Sequence, residues 1–178
     1  MMISESTVRE ALPEDYYEVW RLIMQGHSEA GIFGLSPQKI EWYVQRMLWP
    51  QNIHPLDTGP RGVIGVIGSR PLEGLCMLVI SELWYSEEKF LEELLVFVDP
   101  EYRASHHARA LISWMIAQSN FTGIPLVTGI VSRERTEAKC KLYRRMMPKA
   151  GEFYVVMPGV SHITLGSSAP TVAIAGSA

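Results

Sequence analysis

Apolar residues recur along this chain at two periods, and each change of period marks a new element. Thr7 to Leu12 is a short strand, closed by Pro13. Tyr16, Val19, Trp20, Ile23 and Met24 then follow the i, i+3, i+4, i+7 spacing of one buried helical face. The glycine-containing stretch Gly26 to Gly34 ends that helix. Ser36 and Pro37 supply an N-cap and a first-turn proline for a second one. On it Ile40, Tyr43, Val44, Met47 and Leu48 repeat the helical spacing. Trp49 to Arg61, interrupted by Pro50, Pro55 and Pro60, is a loop.

Gly62 to Ser69 and Leu75 to Trp84 are strands separated by Arg70 to Gly74, and Leu91 to Val98 follows the polar turn Ser86 to Lys89. Connections this short join antiparallel neighbours. The run Leu94 to Val98 is continuously apolar, which predicts a strand covered on both faces. After Asp99-Pro100 comes a helix with Ala108, Leu111, Ile112, Met115 and Ile116 on one face, then a strand from Pro125 to Val131. A strand, a helix and a strand in that order form a unit whose two strands run parallel. Thr136 caps a last helix carrying Ala138, Leu142, Tyr143 and Met146. A final hairpin, Glu152 to Leu165, turns at Pro158-Gly159. The expectation is one α/β domain, residues 1–165, on a mixed sheet, with a small-residue tail at 166–178.

Composition narrows the functions open to such a domain. The chain has 178 residues, 47% of them apolar and 20% charged, with a formal charge of −3. Neither a nucleic-acid nor a membrane-surface partner is expected from so little net charge. Apolar runs stay well short of the ~20 residues that span a bilayer, and Met1 to Glu5 carries no secretory signal. Cys76 and Cys140 belong to no paired motif and are expected as buried free thiols, which suits a reducing cytoplasm. His27, His54, His106, His107 and His162 form no metal pattern. His106 and His107, adjacent on a helix, point about 100° apart and do not chelate one ion. The five tryptophans, Trp20, Trp42, Trp49, Trp84 and Trp114, are expected in the core or in a cleft wall.

The segment that carries chemistry begins at Leu94. A buried strand ends at Val98, Asp99-Pro100-Glu101-Tyr102 turns the chain, and a helix opens through Arg103-Ala104-Ser105-His106-His107-Ala108-Arg109. The first turn of a helix leaves backbone N–H groups unpaired at the positive end of its dipole, which suits an anion such as pyrophosphate. Arg103 adds charge and Ser105 a hydroxyl.

These residues resemble the central motif of the Gcn5-related N-acetyltransferases, a strand ending in Val-x-Pro-x-Tyr-Arg followed by a short loop and a helix. Val98, Pro100, Tyr102, Arg103 and Ala108 match it, and the order of elements from Thr7 to Leu165 is the family's order. The resemblance implies a mostly antiparallel central sheet flanked by helices, with a splayed parallel strand pair at the cofactor site. It implies acetyl-CoA as acetyl donor, with Val96, Phe97 and Val98 along the pantetheine arm. Arg103, Ala104, Ser105, His106, His107, Ala108 and Arg109 would hold the pyrophosphate. Ala104 and His106 stand where the family has glycine.

Acetyl transfer needs a neutral amine, a donor to the oxyanion and a proton for the departing thiolate. Leu142-Tyr143 resembles the family's segment whose tyrosine reaches the cofactor sulfur, which makes Tyr143 the expected acid. For the base, Glu92 and Glu93 open the strand before the loop and point to opposite faces. The family's spacing back from Arg103 leads to Glu92, with Glu93 or a water as alternatives. The expected activity is direct acetylation of an amine on a small molecule or a protein. A catalytically silent member kept as a CoA-binding or protein-interaction module is the second reading. The Glu152 to Leu165 hairpin offers an edge for pairing two copies into a homodimer.

Overall fold

In the computed structural model, residues 7–130, 132 and 135–151 are described. The expected C-terminal hairpin and tail lie outside these residues, as does the edge proposed for pairing two copies. Among the described residues, five strands form one sheet in the order of the chain. Strand β1 is Arg9–Glu10, β2 Gly62–Gly68, β3 Leu72–Glu82, β4 Lys89–Val98 and β5 Leu126–Val127. All neighbours are antiparallel except β4 and β5, which run parallel. Helices α1 (Tyr16–Ala30) and α2 (Pro37–Leu48) connect β1 to β2, α3 (His107–Thr122) crosses from β4 to β5, and α4 (Thr136–Met146) follows. This is the mixed, mostly antiparallel sheet that the resemblance implies.

The helices divide between the two faces of the sheet. Val19 and Leu22 of α1 and Val44 and Met47 of α2 pack with Val66, Leu75, Met77 and Phe97. On the other face Leu111, Ile112 and Met115 of α3 pack with Cys76, Leu78, Leu91 and Val98, and Leu142 and Tyr143 of α4 border them. Ser36 caps α2 as its sequence indicates, its hydroxyl accepting from the Lys39 amide. At the head of α1, Asp15 accepts a bidentate ion pair from Arg9 (2.6 and 2.9 Å) and a hydrogen bond from the Leu12 amide.

Three local expectations change. Helix α1 continues through Gly26 to Ala30. Its glycine lets the helix lie against β4, since a Cβ there would stand 3.0 Å from the Phe97 ring. Strand β3 starts at Leu72 because Gly68, at φ 89°, turns the chain tightly enough to shorten the expected connection. It ends at Glu82, so Trp84 stands exposed at the hairpin tip, beside Tyr85, instead of in the core or a cleft wall. Cys76 is buried, whereas Cys140 is only partly so.

The apolar run of β4 is the fourth and most consequential departure. Met77 faces Leu95 and Leu78 faces Glu93, which leaves Leu94 as an extra residue, a β-bulge. The bulge reverses the alternation of faces. Leu91 below it and Val96 and Val98 above it therefore reach the α3 side, while Leu95 and Phe97 reach the α1 side. Leu94 itself is 40% exposed, so the run is not covered along its whole length.

Candidate functional site

Strands β4 and β5 stay together only over Leu91–Glu92 and Leu126–Val127. Past that point residues 128–130 leave the sheet, and a cavity of about 430 Å³ opens between them and β4. Leu94 to Val98 form one wall, Gly129 and Ile130 another, and Gly26, Ala30 and Gly31 of α1 with its C-cap close one end. Tyr143 and Lys139 of α4 face it from the far side. From Glu93 onward, no strand among the described residues pairs with β4 on this edge. Backbone groups alternate between the two edges of a strand. The Val98 carbonyl is turned to the open edge, where it accepts from Arg103 Nε at 3.0 Å. Val96, two residues back, turns its own N–H and C=O to the same edge.

The loop after β4 is a 3-10 turn, Pro100–Tyr102, capped by the Asp99 carboxylate on the Glu101 amide. Ala104, Ser105 and His106 are exposed. Because His106 sits at φ −91° and Ala104 has no positive φ, neither position needs glycine for its backbone. The helix proper pairs first through the Ala110 amide and the His106 carbonyl, which leaves the Ala108 and Arg109 amides in the unpaired first turn. Ser105 Oγ donates to the Tyr102 carbonyl and accepts from the His107 amide. His107 is buried, with Nε2 on the Glu73 carboxylate, and its ring stacks near Tyr102. The Arg103 guanidinium points back toward α1, to Glu29 at 2.5 Å, and lies over the Phe97 ring. Among the loop residues of the motif, Arg103, Ser105 and Ala108 border the cavity; Ala104, His106, His107 and Arg109 do not. The open β4 edge and the first-turn amides fit an extended, amide-bearing arm that ends in phosphates. Main-chain groups carry that fit, and the Arg103 and Ser105 side chains are already engaged.

At the other end of the cavity, Tyr143 Oη donates to Glu93 and lies 2.8 Å from each carboxylate oxygen. Burial pushes the Glu93 carboxyl up to about 7, against the opposing pull of the Tyr143 hydrogen bond and the nearby Lys139 charge. The same burial, with the adjoining carboxylate, raises the Tyr143 hydroxyl well above the ordinary phenol range. Lys139 donates to Ser132 Oγ at 2.8 Å, and burial lowers its ammonium. Glu92 takes the opposite face, beside Val79 on the α1–α2 side, and does not line the cavity. It makes no hydrogen bond or ion pair among the described residues. The sequence reading found Tyr143 and both glutamates but passed over Lys139 and Glu29. Its one signal for Lys139 was the spacing to Tyr143, a single helical turn.

Among the described residues there is no cluster of three metal-binding side chains. No described helix is long and apolar enough to cross a membrane.

Comparisons with family models and with curated sequences give no match. Solved structures do match in fold. A ribosomal-protein-alanine N-acetyltransferase from Brucella melitensis biovar Abortus 2308 superposes with a TM-score of 0.58 at 15% identity, over 85% of this chain and 98% of its own. AAC(6')-Iy, in complex with the bisubstrate analogue CoA-S-monomethyl-acetylneamine, gives 0.61 at 14% identity over 86% and 97%. An aminoglycoside acetyltransferase, meta-AAC0020, from an uncultured soil metagenomic sample gives 0.60 at 13% identity over 90% and 100%. The chain has the fold of these acetyltransferases.

Proposed function

We propose that the protein is an acetyl-CoA-dependent N-acetyltransferase that moves acetyl directly to an amine of a small molecule or a protein. One observation carries this reading: a tyrosine hydroxyl held on a partly buried carboxylate at the wall of a cavity that opens where the parallel strands part. The fold match, including a neighbour in complex with a CoA-linked analogue, supports it. Acetyl-CoA, when bound, supplies an activated thioester. The open edge at Val96 and the Val98 N–H would hold its pantetheine amides, and the unpaired Ala108 and Arg109 amides of the first helical turn its pyrophosphate.

The chain's own residues then divide the proton work. Tyr143 gives its proton to sulfur as the thiol leaves. Glu93, its carboxyl raised by burial to about 7, accepts the Tyr143 hydrogen bond and keeps the hydroxyl aimed. The acceptor's proton goes to water, or through water to Glu92, which lies outside the cavity lining on the α1–α2 side. We extend the reading to one domain over residues 1–165, acting in the cytoplasm.

A CoA-binding module without turnover is the second reading. The turning inward of Arg103 and Ser105 favours it. Incubation with acetyl-CoA and a panel of amines, with detection of free thiol, separates the two. Amine-dependent thiol release supports the transferase, and binding without release for any acceptor supports the module.

A further inference from the structure

We propose that Lys139 is itself an acetyl acceptor, its amine held in the cavity one helical turn from Tyr143 and modified by acetyl-CoA within the same chain. The inference rests on the cofactor reading above. Lys139 and Tyr143 occupy successive turns of one face of α4, and both line the cavity. The Lys139 amine is tethered by Ser132 Oγ at 2.8 Å, so the four-carbon arm does not swing freely in solvent. Lys39, Lys89, Lys141 and Lys149, by contrast, are all exposed.

A desolvated lysine is a stronger nucleophile because more of it is neutral at a given pH. Four charged groups face Lys139 in addition to its burial. Glu29 on α1 and Glu93 on β4 hold the proton on, while Arg103 after β4 and Arg135 at the head of α4 push it off. The net direction is toward the neutral amine. In the transfer, the Lys139 nitrogen bonds the thioester carbonyl carbon and the carbon–sulfur bond breaks. The sulfur takes a proton from Tyr143, the nitrogen loses one to water, water returns that proton to Tyr143, and the products are acetyl-lysine and free CoA. No oxidant or further reactant is needed.

The test is mass spectrometry of the purified protein after incubation with acetyl-CoA, read beside its melting temperature with CoA alone. The expected result is a single added acetyl group, mapped to Lys139 and saturating with acetyl-CoA. One free thiol should appear for each group added, and Lys139→Arg should stay unmodified under the same conditions. A second readout needs no cofactor. Trace acetic anhydride at about pH 8, well below the ordinary lysine pKa, should label Lys139 ahead of the four exposed lysines, and CoA should protect it. A melting temperature that rises with CoA while Lys139 stays unacetylated overturns the inference and leaves the cofactor reading intact. Labelling that follows surface exposure overturns it as well. A melting temperature indifferent to CoA contradicts the cofactor reading, and the inference with it.

Discussion

The Tyr143 hydroxyl lies 2.8 Å from both oxygens of the Glu93 carboxylate, joining α4 to the bulged segment of β4 through one proton. That relationship fixes where the tyrosine can act. It also ties the chemistry of the site to its stability, because each is the other's hydrogen-bond partner.

Tyr143→Phe should lower thiol release by roughly 100-fold, the usual worth of a positioned acid. The variant also leaves Glu93 without its donor, so stability should fall by about 1–3 kcal/mol. CoA should still raise its melting temperature. Acceptor-dependent thiol release at the full rate in this variant would remove Tyr143 from the mechanism.

Glu93 makes stability depend on pH in a specific direction. Its carboxyl is raised from 4.5 to about 7 in the folded chain. Between those values the folded state binds more protons than the unfolded one, so stability falls as pH rises through the window and stays lower above it. Solvent screening of this partly buried group reduces the effect to about 2 kcal/mol. Glu93→Gln should flatten this part of the profile and be the more stable protein above pH 7. Melting curves across the window check it; an unchanged slope in the variant would count against a buried, protonated Glu93.

At Gly26, size should separate packing from binding. A Cβ would stand 3.0 Å from Phe97 Cδ2, tight enough that the ring must give slightly. The helix gains about 1 kcal/mol from alanine over glycine, so Gly26→Ala should be close to neutral. Gly26→Leu projects into the cavity instead, and should abolish the melting response to CoA while leaving the circular dichroism of a folded chain.

Asp15 is a stability residue remote from the cavity. Arg9 holds its carboxyl below the usual range, helped by the Leu12 amide. A depressed carboxyl contributes stability that is present at neutral pH and is lost as pH falls below about 4. Asp15→Ala should cost about 3 kcal/mol, because Arg9 and the Leu12 amide lose their shared acceptor. Equal melting temperatures for variant and wild type at neutral pH would contradict this.

Much of this was legible in the residue pattern. Helical spacing in Tyr16 to Met24 and Ile40 to Leu48 exposed the faces that the sheet covers, and Ser36-Pro37 gave the start of α2. Val98-Asp99-Pro100 marked the end of the strand that forms one wall of the cavity. The bulge was not legible, because Leu94 differs in no way from its apolar neighbours and its extra position appears only against the register of β3. That one residue reverses the faces of β4 and brings Val96 and Val98 to the α3 side with Leu91. Arg103 was legible as a motif residue but not in its direction, since Glu29 is distant in sequence and meets it only after α1 packs on β4. At His106 the backbone is one that any residue adopts, so the conformation itself does not require glycine.

The most direct test of the account is the melting temperature of the protein titrated with CoA and acetyl-CoA. Binding at about 100 times the dissociation constant adds about 2.7 kcal/mol, which for a chain of this size is a rise of roughly 5–10 °C. The account predicts such a rise, saturable and lost in Gly26→Leu. A melting temperature unmoved by either compound at millimolar concentration would contradict it.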